Sequence, residues 1–156
     1  MNSYHEEGKV CHRDLKPSNV MVAPGEKVKV VDFGLGVFVE QELGSRLTRT
    51  GDHIVSGYFT APELLHDPKL VDPRMDVFSA GAIWFNAITG RAPGGADIGE
   101  QLKAVTKMTS RYRGAIMKAL SASEKRFSSA REMLDEVRVI EAQWRAEGAL
   151  GWLGRE

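Results

Sequence analysis

Three short clusters of chemically distinctive residues, in a fixed order, constrain this chain more than anything else in it. The first is His12-Arg13-Asp14-Leu15-Lys16-Pro17-Ser18-Asn19. The second is Asp32-Phe33-Gly34, and the third is Ala61-Pro62-Glu63. Between the first two lie the β-branched runs Val20-Met21-Val22-Ala23 and Val28-Lys29-Val30-Val31, separated by the turn residues Pro24-Gly25-Glu26-Lys27. That pattern predicts a small hairpin.

Composition narrows the class. Of the 156 residues, 42% are hydrophobic and 27% charged, as in ordinary globular chains. The length suits one domain or one part of a larger one. Twenty-one basic residues balance 21 acidic ones, so bulk charge gives no footprint for nucleic acid. The N-terminal run Met1 to Glu7 carries acid where a secretory signal carries base. The most apolar run, Val77 to Ile88, is broken by Ser79 and Asn86 and is shorter than the roughly 20 residues of a membrane span. The single cysteine, Cys11, has no partner within the chain for a disulfide. It reads as a small buried hydrophobe. A cytoplasmic chain that meets neither membrane nor nucleic acid is the expectation.

Beyond the hairpin, residues 35–60 show little periodicity, have glycine at 36, 44, 51 and 57, and read as a long loop. Helices dominate the rest. Pro62 opens a short one through Leu64-Leu65, ended by His66-Asp67-Pro68. Pro73 opens a longer one to Ile88, closed by Thr89-Gly90, and its apolar residues surround it, which predicts burial. Asp97 to Met108 and Tyr112 to Leu120 carry weaker helical patterns. Ser128-Ser129 followed by Glu132 reads as a capped start, and Leu134, Val137, Ile140 and Trp144 continue one apolar face to about Glu147. The expected fold is mainly α with a short β-hairpin (α+β). Residues 1–147 form the folded unit and 148–156 a tail.

The three clusters together match the H-R-D-L-x-x-x-N, D-F-G and A-P-E patterns, and the chain resembles the C-terminal lobe of a serine/threonine protein kinase catalytic domain. The resemblance implies phosphoryl transfer from ATP, with Mg2+, to a hydroxyl of a protein substrate. Such chemistry needs positioning and charge neutralisation more than covalent help. By resemblance Asp14 orients the attacking hydroxyl and accepts its proton, and Lys16 contacts the transferred phosphate. A lysine there is typical of serine/threonine kinases. Asn19 and Asp32 supply hard oxygen ligands for Mg2+. His12 is a packing and hydrogen-bonding residue. Arg13 would pair with a phosphate on the activation segment, for which Thr48, Thr50 and Ser45 are the candidate sites. Ser56 stands where similar kinases carry a Thr that hydrogen-bonds the catalytic Asp and Lys. Asp76, in Asp76-Val77-Phe78-Ser79-Ala80-Gly81, would accept hydrogen bonds from the backbone of the catalytic loop. Arg126 would ion-pair with Glu63.

A small-molecule phosphotransferase also places an Asp, an Asn and a second Asp in this order. Leu15-Lys16-Pro17 and Ala61-Pro62-Glu63 favour the protein kinases. The resemblance also implies an N-terminal lobe with a Gly-rich loop and a strand Lys, for which the dozen residues up to His12 leave no room. The expectation is therefore an incomplete domain that begins inside the helix preceding the catalytic loop, weakly active or inactive alone, partnered by a separate or missing N-lobe. The alternative is a non-catalytic, pseudokinase-like interaction module.

Overall fold

Helix formation around Pro73–Thr89 organises the molecule. Asp72 caps this helix by accepting the Arg74 amide, Pro73 occupies the first helical position, and Gly90 ends it in the left-handed conformation (φ 70°). The computed structural model describes residues 11–25, 27–32, 57–67, 70–94, 97–106 and 108–146. Within them the ordered elements are a 3-10 turn Pro17–Asn19, strands β1 (Val20–Ala23) and β2 (Lys27–Val30), and five helices. The helices are α1 (Pro62–His66), α2 (Pro73–Thr89), α3 (Ile98–Lys103), α4 (Ser110–Ala119) and α5 (Ala130–Ala146), with a second 3-10 turn at Ser123–Lys125 before α5. The chain is thus mostly helical with one two-stranded antiparallel sheet, the α+β class expected.

The hairpin pairs Val20 with Val30, Val22 with Val28 and Ala23 with Lys27. Gly25 takes a positive φ (78°) in the turn. Val31, expected within the second strand, lies just past the ladder, yet its amide still donates to the Asn19 carbonyl at 2.9 Å. The pairing puts all four valines on one face. Val22 and Val28, at the tip end of that face, are 73% and 61% exposed.

The core lies around α2, which is buried on several sides as its all-round apolar sequence requires. Val77 packs with Ala115 and Ala119 of α4 and with Phe127, Met133 and Ile140. Met75, Phe78 and Ala82 pack with Phe59 and Ala61, which carries the start of α1 onto α2. Phe85 joins Leu102 of α3, Met108 and Ile116. Gly81 lets α2 and α4 approach closely, because a Cβ there would stand 2.6 Å from the Ala119 Cβ. Trp84, Tyr112 and Trp144 clasp α2, α4 and α5. The Trp84 indole donates to the Tyr112 hydroxyl at 2.6 Å, and Tyr112 stacks on Trp144 with centroids 5.0 Å apart.

The helix α5 begins with a reciprocal cap. The Ser129 hydroxyl accepts the Glu132 amide at 3.2 Å, while the Glu132 carboxylate accepts the Ser128 amide at 2.7 Å and its hydroxyl at 2.8 Å. Two expected helices differ in extent. The pattern over Asp97 to Met108 yields only Ile98–Lys103, because Val105 turns its amide to Leu102 in a tighter bond and the β-branched pair Val105-Thr106 follows. The helix expected from Tyr112 starts two residues earlier, where Thr109 caps it by accepting the Tyr112 amide. Among the described residues no helix is long and apolar enough to cross a membrane. Most of the loop expected at 35–60, and the tail with Trp152, lie outside the described residues.

Candidate active site

Asp76 anchors the site. It is fully buried in the first turn of α2, and its two carboxylate oxygens accept the backbone amides of His12 (2.7 Å) and Arg13 (2.9 Å). A buried carboxylate is retained at such a cost only where donors satisfy it. Arg13 is held at φ 65°, a left-handed conformation that strains a non-glycine residue by about 1–3 kcal/mol and persists where its surroundings impose it. His12 is buried, and its Nε2 donates to the Val31 carbonyl at 2.9 Å. This bond ties the segment before the 3-10 turn to the open end of the hairpin. His12 therefore packs and braces, and Leu15 adds a buried apolar anchor.

Between these anchors the chain presents Asp14 and Lys16, each about one third exposed and joined at 2.8 Å. The 3-10 turn begins at Pro17, whose fixed φ favours it, and turns the chain so that Asn19 faces back. The Asn19 Nδ2 donates to the Asp14 carbonyl at 2.9 Å and approaches its Oδ2 at 3.4 Å. Because the amide nitrogen is used in this way, the Asn19 Oδ1 is the atom that can act as a ligand. Asp32 follows Val31, whose amide is bonded to Asn19, so Asp32 also stands at the open end of the hairpin. It is exposed and adopts φ 62°, which aspartate tolerates better than most residues.

These residues suit a hard cation shared with phosphate oxygens: one amide oxygen and one exposed carboxylate, with no soft ligand between them. Among the described residues no group of three or more His, Cys, Asp or Glu side chains could hold a metal without such help. Cys11 lies beside the site but is buried. Burial first, then the charges of Asp76 and Asp72, push its thiol up to about 11, which makes it unreactive at neutral pH.

The Glu63 carboxylate and the Arg126 guanidinium form a two-point ion pair, with Nη2 to Oε2 at 2.8 Å and Nη1 to Oε1 as the second bond. Arg126 also donates through Nε to the Ser121 carbonyl (2.7 Å) and through Nη1 to that of Arg74 (3.1 Å), and it lies over the Phe78 ring. Desolvation pushes the Glu63 carboxyl up, but the hydrogen bonds and charge of Arg126 outweigh it and hold the group below the usual carboxylate range.

The structure thus brings Asp14, Lys16 and Asn19 into direct contact, leaves Asp32 exposed at the open end of the hairpin one residue past the Val31–Asn19 bond, hangs Arg13 from Asp76, and pairs Glu63 with Arg126. Ser45, Thr48, Thr50 and Ser56 lie outside the described residues, as do Phe33 and Gly34. Sequence reasoning missed the Asp72–Arg74 pair. The signal was present in Asp72-Pro73, a cap residue followed by proline at the first helical position.

Comparison with known proteins gives the same picture. The protein kinase domain family model matches residues 1–146. Serine/threonine-protein kinase PknB of Mycolicibacterium smegmatis is 30% identical over 158 aligned positions, which cover 92% of this chain and 25% of that protein. PknB of Mycobacterium tuberculosis is 31% identical, over 89% of this chain and 24% of its own length. Sperm motility kinase 2B of Mus musculus is 39% identical over 95 residues, 60% of this chain and 18% of that protein. The chain spans about a quarter or less of the length of these relatives. Because the family model runs across nearly the whole sequence, over the same residues whose backbone hangs from Asp76, the chain belongs to the protein kinase family.

Proposed function

We propose that this chain provides the catalytic half of a serine/threonine protein kinase, which transfers the terminal phosphoryl group of Mg-ATP to a hydroxyl of a protein. The observation that carries the reading is the contact of Asp14 with Lys16 and Asn19 on a backbone fixed by Asp76. The Asp14 carboxylate orients the acceptor hydroxyl and takes its proton as the oxygen bonds to the γ-phosphorus and the bond from that phosphorus to the departing ADP oxygen breaks. The Lys16 ammonium, already beside Asp14, offers positive charge to the phosphoryl oxygens. The Asn19 Oδ1 and the Asp32 carboxylate are the groups that would hold Mg2+. When bound, that ion neutralises charge on the phosphates. Arg13 is assigned to a phosphate on Thr48, Thr50 or Ser45, and Ser56 to the substrate-side hydrogen bonds with Asp14 and Lys16.

The test is transfer of labelled phosphate from Mg-ATP to a mixed serine/threonine peptide pool. It is run with the chain alone and with the chain co-expressed with an N-lobe from a PknB relative. Turnover should fall about 10²–10⁴-fold in D14N, the range that a positioned general base contributes. Turnover that D14N leaves unchanged refutes the assignment. A biological effect that survives D14N would mark the chain as a binding module instead.

A further inference from the structure

The side chains of Asp72 and Arg74 bond to none of Asp14, Lys16 and Asn19 in any contact given above. Asp72 caps α2, and the Arg74 guanidinium folds back onto the same carboxylate through Nε (2.9 Å) and Nη2 (2.6 Å). The Nη1 of Arg74 reaches out to the Ser123 carbonyl at 3.3 Å, in the 3-10 turn before α5. The Arg74 carbonyl in turn accepts from Arg126 at 3.1 Å. Residue 74 thus ties the start of α2 to its own cap, to a distant turn and to the Glu63–Arg126 pair. Two residues further along the same turn, Asp76 holds the amides of His12 and Arg13. A helix that loses its cap frays over its first turn rather than along its length. Arg13, at φ 65°, keeps its conformation only while it is held.

We propose that Arg74 is a positioning residue for the catalytic loop. By locking the Asp72 cap against the Ser123–Lys125 turn, it fixes the first turn of α2, and through Asp76 it fixes the backbone that carries Asp14. Its bearing on phosphoryl transfer rests on the function proposed above, whereas its hold on the loop backbone does not.

The test uses the 156-residue chain, labelled with 15N, as wild type, R74M and R74K. Amide resonances and hydrogen exchange are compared between His12 and Arg13, which hang from Asp76, and Phe85 and Asn86 in the last turns of α2. In R74M, exchange at His12 and Arg13 should rise about fivefold relative to Phe85 and Asn86, and their resonances should move. R74K retains a donor for Asp72 and should restore part of the difference. Equal acceleration at all four amides would show that Arg74 serves global stability alone. Unchanged His12 and Arg13 amides would show that Asp76 needs no brace. Either result overturns the proposal. If R74M does not fold, R74K and D72N are read by the same comparison. The readout is backbone order and not turnover, so failure of the phosphotransfer assignment leaves this result standing, and the reverse also holds.

Discussion

Replacing Glu63 by glutamine leaves the Arg126 guanidinium without its carboxylate in a site where the arginine side chain is only 1% exposed. Removing one partner from a buried ion pair costs about 3–5 kcal/mol, because a charge is left desolvated. Three features reduce that figure here. The Glu63 side chain is 22% exposed, glutamine keeps one acceptor oxygen, and Arg126 retains the Ser121 and Arg74 carbonyls. The expected loss is about 2–3 kcal/mol, which for a chain of this size lowers the melting temperature by about 4–12 °C. Urea unfolding followed by circular dichroism measures it, on wild type, E63Q, R126M and the double variant. The double variant should lose at least about 1 kcal/mol less than the two single losses added together, since each single change strands a partner that the double removes. The pH dependence has a definite sign. The folded Glu63 pKa lies below its ordinary value of 4.5, so its contribution is fully present above 4.5 and is lost as pH falls through the lower, folded value. The gap between wild type and E63Q should therefore be constant at pH 6–7 and close on acidification below about 4. Equal stability at pH 7, strictly additive variants, or a gap that widens in acid would refute the reasoning.

Two further outcomes follow from the geometry. D76N loses an acceptor for one of the two backbone amides and should destabilise the chain by about 2–3 kcal/mol. Cys11 is buried next to the anchored amides, so its alkylation at pH 8 should speed up as this anchoring loosens, and an unchanged rate would contradict the hold of Asp76 on the His12 and Arg13 backbone. G81A drives a methyl group against the Ala119 Cβ and should cost about 1–3 kcal/mol. Pairing it with A119G should recover most of that in thermal melts, and a G81A chain as stable as wild type would mean that α2 and α4 cross less tightly than described.

Legibility varied with how local the governing physics is. The hairpin, the proline-and-glycine ends of α2 and the reciprocal cap at Ser129 and Glu132 were readable because each depends on residues a few positions apart. The pairing of Glu63 with Arg126 and the anchoring by Asp76 bridge 63 and 64 positions, and periodicity carries no information at that range. They were expected through the family resemblance rather than from the residues themselves. Three features had no sequence signal of their own. Arg13 takes a left-handed backbone because two distant carboxylate oxygens impose it. Lys16 turns onto Asp14, and Arg74 reaches the Ser123 carbonyl, through side-chain directions that only the packed fold sets. The end of α3 at Lys103 was misjudged because Val105 and Met108 extend the apolar spacing past the point where the backbone tightens.

The four-valine face of the hairpin has a consequence for where stiffness resides. A two-stranded ribbon wetted on its apolar side has little cohesion of its own. Its base is nailed down by the Val31 amide on Asn19 and by the His12 imidazole on the Val31 carbonyl, while Val22 and Val28 near the tip lie largely open to water. Thermal breathing should therefore begin at the Gly25 turn and die out toward Val20 and Val30. Asn19 and Asp32 flank the quiet end of that gradient, so the oxygens proposed above for a cation adjoin the part of the ribbon expected to move least.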